Sequence, residues 1–313
     1  MFIIRVCILT IFIAATGTVA AINISSDSIW GLVKVAVAHV RTEPRHGAEM
    51  STQAIMGTPI RILSDNNGWA EVELPDGYKG YIINNCIAFK SAQQMSAWRN
   101  ADRLIICSLT ETKAYKDSVG IGAREYVSDM VNGNIVEGTI DRNSCRSKIR
   151  LPDGRMAWIE NKDVTNIKEW ATQPYDAVKV ISAAYSMMGT SYLWGGTSTK
   201  GVDCSGLVKI AYFSIGIITL RDASQQVTVG TQTNDFHTGD LLFFWNNAKT
   251  RVNHVAIYDR DGYYIQSAGR VMRSHLSPSH PDYYPNNFKE CRTFRYNIDS
   301  PGIIRAISHP WYF

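Results

Sequence analysis

The chain has 313 residues, 45% hydrophobic and 19% charged, a globular composition long enough for two or three compact units. Its formal net charge of +4 is small for that length and is not laid down in basic runs, which argues against a nucleic-acid partner. No HExxH and no CxxC pair occurs, which argues against a zincin or a structural zinc site, and no metal or other cofactor is expected.

At the start, Arg5 precedes an apolar run over residues 6–15, and small residues end in Ala20-Ala21. That order predicts a secretory signal peptide over 1–21, cleaved after Ala20 or Ala21. The product is expected to be exported, to the periplasm or beyond, without membrane insertion. Cleavage removes Cys7 and leaves Cys86, Cys107, Cys145, Cys204 and Cys291. An odd number leaves at least one thiol unpaired unless it bridges two chains. The pairing of the others stays open, and a monomer is expected.

An internal repeat organises the chain between the leader and residue 170. Leu74-Pro75-Asp76-Gly77-Tyr78-Lys79-Gly80-Tyr81-Ile82 returns as Leu151-Pro152-Asp153-Gly154-Arg155-Met156-Ala157-Trp158-Ile159. Each copy reads as a strand, a Pro-Asp-Gly turn and a second strand, and 57–63 and 68–74 look like further short strands. Two small β-barrels are predicted, over 22–100 and 101–170, with a linker or short helix at 91–102.

Beyond residue 171 the texture changes. Residues 175–188 keep helical spacing with Gly189 as the stop, and a second helix is expected over 204–213. Strands are expected at 240–245, 254–258 and 263–266. Helices followed by consecutive strands predict an α+β domain over 171–313.

Gly201-Val202-Asp203-Cys204-Ser205-Gly206 puts a cysteine at the first turn of the second helix. The helix dipole and unpaired N–H groups would lower the thiol pKa there and could hold an oxyanion. Of seven histidines, His254 alone opens an apolar strand, His254-Val255-Ala256-Ile257-Tyr258. A helix-borne cysteine followed by a strand-borne histidine suits a papain-like nucleophile and base. A three-residue loop in the next hairpin would put Gln266 on the face of His254, whereas a two-residue Asp-Gly turn would bring Ser267 round. The odd-length loop is predicted, with the Gln266 oxygen accepting the Nδ1 proton of His254 and fixing its tautomer.

Tyr192-x-Trp194-Gly195-Gly196, Asp203-Cys204-Ser205-Gly206, Gly239-Asp240-Leu241 and His254-Val255-Ala256-Ile257-Tyr258 together resemble the NlpC/p60 cysteine peptidases of bacterial cell-wall metabolism. The resemblance implies a papain-like catalytic domain behind two SH3-like barrels, as in the dipeptidyl-peptidase VI subgroup. That subgroup cleaves the γ-D-glutamyl–diamino-acid bond of peptidoglycan peptides with a free N-terminal L-alanine. By the same resemblance Cys204 is the nucleophile, His254 the base, and Tyr192 helps hold the oxyanion. Asp203 receives the substrate ammonium, Ser205 and Arg221 the D-glutamyl carboxylate, and Trp194 lines the site. Glu49 and Tyr78 of the first barrel close the cleft over the amine. Many members carry a histidine where Gln266 stands, which puts the orientation of His254 in question. Two other readings stay open: a wall-binding protein with an inactive catalytic fold, and an amidase or acyltransferase on the same fold. The choice between diaminopimelate and lysine is also open.

Overall fold

Short strands separated by glycine-bearing turns fold mostly with their sequence neighbours, and the first half of the chain does so twice. The computed structural model describes residues 30–110, 112–119, 125–285 and 287–313; the signal-peptide assignment and Cys7 lie outside them. Strands β1 (Trp30–Val33), β2 (Val37–Arg41), β3 (Met50–Ile55), β4 (Pro59–Asn66), β5 (Trp69–Glu73), β6 (Lys79–Ile83) and β7 (Ile87–Lys90) form one antiparallel sheet in the order β3-β2-β6-β5-β4-β1-β7. Helix α1 (Ala92–Asn100) follows. Ser91 caps it by a reciprocal pair of bonds with Gln94, satisfying two backbone donors at the helix start.

Strands β8 (Arg103–Ile106), β9 (Thr112–Tyr115), β10 (Tyr126–Met130), β11 (Ile135–Gly138), β12 (Arg146–Arg150), β13 (Met156–Glu160) and β14 (Val164–Asn166) form the second sheet, in the order β10-β9-β13-β12-β11-β8-β14. That is the first order shifted by seven strands. The sequence repeat is therefore a repeat of topology, with each Pro-Asp-Gly turn between the fifth and sixth strand of its sheet. Among the described residues the outer strands of neither sheet pair with each other.

The remainder is mixed. Helices α2 (Ile167–Thr172) and α3 (Ala177–Ser186) lead to the short pair β15 (Thr197–Ser198) and β16 (Gly201–Val202), then to α4 (Cys204–Phe213), β17 (Ile217–Thr219) and α5 (Ala223–Gln226). A six-stranded antiparallel sheet comes next, built from β18 (Thr231–Thr233), β19 (Leu241–Trp245), β20 (Val252–Tyr258), β21 (Tyr263–Ala268), β22 (Arg270–His275) and β23 (Phe288–Thr293) in the order β18-β23-β19-β20-β21-β22. The last strand, β24 (Ile303–Arg305), pairs with β17. Helix α3 starts two residues later than its periodicity predicts, because the Asp176 side chain takes the N–H groups of Val178 and Lys179 as an N-cap. Strand β20 starts at Val252 rather than His254, in register with Trp245 across a bulge.

One face of this sheet, through Phe243, Val255, Ile257 and Ile265, packs on Val180, Ala184, Leu207 and Val208 of α3 and α4. Leu242, Phe244, Ala256 and Tyr264 form a smaller cluster on the other face. This packing fixes the start of α4 against β20. Among the described residues the five cysteines are free thiols, and no helix is long and apolar enough to cross a membrane.

The first sheet docks onto the α+β part. Thr197 donates its N–H to Gln53 Oε1 at 3.0 Å and its hydroxyl to the Gln53 carbonyl at 3.1 Å. Lys209 of α4 pairs with Asp76 of the first Pro-Asp-Gly turn at 2.6 Å, and His309 meets the Pro75 carbonyl at 2.9 Å. A cavity of about 80 Å³ at this seam is lined by Ile55, Leu74, Ile210, Phe213 and Tyr312, and neither Cys204 nor His254 borders it. The Asp76 side chain is only 5% exposed. Removing its partner leaves a buried charge uncompensated, so Lys209→Ala should lower unfolding free energy by about 3 kcal/mol. A denaturation midpoint equal to wild type would show that the pair does not secure the seam.

Candidate active site

The site grows from the start of α4. Asp203 is the N-cap, and its Oδ1 accepts the Gly206 N–H at 2.7 Å. Gly206 is required by space: a Cβ there would lie 1.9 Å from the Gly196 carbonyl oxygen. Gly195, at φ +76, donates its N–H to Asp203 Oδ2 at 3.0 Å, and a Cβ on it would meet the Met50 carbonyl of β3 at 2.4 Å. The Gly-rich loop, the helix start and the first sheet thus converge on one carboxylate.

Cys204 is the first residue of α4 and is 7% exposed. Its Sγ lies 4.0 Å from the Asn253 carbonyl, and the N–H groups of Val255 and Ser205 point at the sulfur. The sulfur therefore rests against the backbone on both sides of His254. Burial here works against the acidification expected from the helix dipole. Burial, reinforced by the charge of Asp203, pushes the Cys204 thiol up to about 12, outweighing the N–H groups and Arg221. Burial also holds the His254 imidazole below its ordinary value, against the opposing pull of Gln266 and Asp203. Both shifts favour a neutral thiol and a neutral imidazole at rest.

The hairpin between β20 and β21 pairs Tyr258 with Tyr264 and Ile257 with Ile265, and a bond from the Asp259 N–H to the Tyr263 carbonyl leaves the three-residue loop Arg260-Asp261-Gly262. Gln266 accordingly shares the face of His254, and its Oε1 is 2.7 Å from the imidazole. The contacting ring atom is Nε2, not the Nδ1 expected. An oxygen can only accept, so Nε2 carries the proton and Nδ1 is left bare. Ser267 is on the other face, donating to the Val202 carbonyl at 2.9 Å.

Tyr192 is half-buried, and its phenol is raised by burial and then by the nearby Cys204 and Asp203. Asp203 and Arg221 are gathered into one buried knot. Arg221, 2% exposed, reaches Asp203 Oδ2 at 2.5 Å and Oδ1 at 3.2 Å, Ser205 Oγ at 2.9 Å and Thr52 Oγ1 of β3 at 2.8 Å. With Gly195, Gly206 and the Ser205 hydroxyl, Asp203 then meets five donors, more than the roughly four acceptor positions of a carboxylate. That stands against Asp203 receiving a substrate ammonium directly.

The exposed rim is less saturated. Glu49 Oε1 accepts from the indole N–H of Trp194 at 2.6 Å, across 145 residues of sequence, and Trp194 is 60% exposed. Tyr78 is half-buried, its phenol raised by burial and then by Asp222. Asp222 has a side chain 42% exposed, lies 3.9 Å from Arg221 Nη1, and is held above the usual carboxylate range by burial, with Asp203 and Asp76 adding to the effect. Sequence reasoning missed Asp222 as a site residue, although it adjoins Arg221 in the chain. It also missed Thr52 and Ser274, whose Oγ accepts the Gln266 amide N–H at 2.8 Å, and neither carries a local signal. Among the described residues no group of three or more His, Cys, Asp or Glu side chains could hold a metal ion.

A thiol at a helix start, set against a histidine-bearing antiparallel sheet, defines the papain-like class of α+β folds. The NlpC/P60 family pattern matches residues 189–292, and the pattern of the bacterial dipeptidyl-peptidase Sh3 domain matches 40–85. The chain is 33% identical over 126 residues to the probable endopeptidase NlpC of Escherichia coli, covering 80% of that protein and 37% of this chain. It is 25% identical over 258 residues to the gamma-D-glutamyl-L-lysine dipeptidyl-peptidase of Bacillus cereus, covering 79% of this chain and 75% of that one. The crystal structure of an NlpC/P60 family protein from Bacillus cereus superposes with a TM-score of 0.73 at 20% identity, over 85% of this chain and 99% of that one, a likeness of fold. The chain belongs to the NlpC/P60 family.

The neutral pair sets the pH behaviour. A base works only when unprotonated, so the acid limb of kcat/KM should be centred below 6.5, the ordinary histidine value. Thiolate ultraviolet absorbance should be missing at neutral pH. A limb centred above 6.5, or a thiolate band at neutral pH abolished by Cys204→Ser, would contradict the neutral pair.

Proposed function

We propose that this chain is a cysteine peptidase of peptidoglycan turnover, cutting the γ-D-glutamyl–diamino-acid bond of stem peptides that carry a free N-terminal L-alanine. The carrying observation is the sulfur of Cys204 seated against the backbone flanking His254, with Gln266 on the far side of the ring. Kinship with a gamma-D-glutamyl-L-lysine dipeptidyl-peptidase supports the bond and the peptide class.

In this reading Nδ1 of His254 takes the thiol proton as sulfur attacks the γ-glutamyl carbonyl. The resulting imidazolium is stabilised through its Nε2–H by Gln266. The Cys204 N–H and the Tyr192 phenol bear on the oxyanion. His254 then protonates the departing amine, and water attacking the thioester releases the dipeptide and restores the thiol. Because the resting thiol is not ionised, proton transfer accompanies attack.

Selection of the free amine falls to the rim. Glu49, oriented by Trp194, keeps its second oxygen for an ammonium, and Tyr78 and Asp222, which interact with each other beside Arg221, are the other two members of the clamp. Asp222, crowded by Asp203 and Asp76, gains most from an incoming cation. Asp203 acts by holding Arg221, whose remaining N–H meets the D-glutamyl carboxylate, and Ser205 joins it by turning its hydroxyl proton from Asp203 to the substrate. We assign the units as 22–100, 101–170 and 171–313, and an exported monomer as the working form.

Cys204→Ala should abolish cleavage of L-Ala-γ-D-Glu-diamino-acid peptides, and retained cleavage would exclude the mechanism. Glu49→Ala and Asp222→Asn should each reduce the preference for free over N-acetylated peptides about tenfold, the usual worth of a hydrogen bond to a charged group. A ratio equal to wild type in both would remove the amine clamp from the account.

A further inference from the structure

The geometry points to Ser274 as a positioning residue that keeps Gln266 turned so that His254 can accept the thiol proton. This rests on the reading of Cys204 and His254 as the reacting pair. Gln266 and Ser274 are 1% and 0% exposed, and the Gln266 amide bridges His254 Nε2 at 2.7 Å and Ser274 Oγ at 2.8 Å. The register between β21 and β22 pairs Gln266 with Met272 and Tyr264 with Ser274, so Ser274 stands diagonal to Gln266 on the face that carries His254.

The two ends of a glutamine amide are chemically opposite, since its oxygen only accepts and its nitrogen only donates. With Oε1 on the ring, the imidazole proton sits on Nε2 and Nδ1 is free to take the proton of Cys204. Reversed, the amide would donate to Nε2 and drive the ring proton to Nδ1, where no thiol proton could follow. The imidazolium formed during attack also needs an acceptor at Nε2–H, which only the first orientation supplies. A hydroxyl accepts as readily as it donates, so Ser274 satisfies the far end of the amide while the imidazolium selects the near end. Without that hydroxyl the Gln266 nitrogen is a buried donor with nothing to bond, and the simplest relief is a flip that turns it onto His254 Nε2 and drives the ring proton to Nδ1.

The test is Ser274→Ala alone and combined with Gln266→Ala, read by kinetics and by nitrogen NMR of the His254 ring. Wild type should show the Nε2–H tautomer, and Ser274→Ala should shift population toward Nδ1–H. It should lower kcat about tenfold with KM changed less than about twofold. In the Gln266→Ala background the Ser274 change should add nothing, because Ser274 acts only through Gln266. Ser274→Cys, which keeps the shape but accepts weakly, should fall between and serves as the readout if the alanine variant does not fold. A wild-type tautomer and kcat in either single variant, or losses that multiply in the double variant, would overturn the assignment. If wild-type protein left the peptides uncut, the peptidase reading would fail, while the ring tautomer would still judge Ser274.

Discussion

The buried carboxylate of Asp203 is the constraint on which the site is built. It caps the helix that carries Cys204, ties down the Gly-rich loop through Gly195, and neutralises Arg221, which in turn grips Thr52 of the first sheet. Such a partner offsets much of the cost of burying the Arg221 cation. One side chain therefore couples the start of α4 to the first sheet.

The same carboxylate bears on the chemistry. Burial opposes ionisation of the sulfur, and the negative charge beside it opposes it further, against the pull of the helix start. In the proposed mechanism the acid–base work falls to the imidazole and to whatever orients it. Gln266 carries no charge and cannot compete for the proton, which suits a neutral resting pair. A charged orienter would raise the imidazole pKa instead.

Much of this was legible in the sequence, for identifiable reasons. The Leu-Pro-Asp-Gly repeat announced a duplicated sheet because turn chemistry is local. Helix α4 was legible because its apolar positions follow one another at helical spacing in a short stretch of chain. Gln266 could be put on the face of His254 because a hairpin loop of odd length fixes parity. What stayed hidden depends on contacts between distant segments. Thr52 meets Arg221 across 169 residues, and the Glu49–Trp194 bond spans 145. A helix dipole is visible in a sequence, whereas the desolvation that opposes it at Cys204 appears only when the sheet packs over the sulfur.

The central claim is covalent catalysis by Cys204, and the most direct measurement is the mass of the enzyme during turnover. Rapid acid quenching of the protein with a free-amine γ-D-glutamyl peptide, followed by peptide mapping, should find an L-Ala-γ-D-Glu acyl group on the fragment bearing Cys204. Cleavage at full rate with the acyl group on another residue, or with none formed under conditions that trap thioesters, would contradict the account.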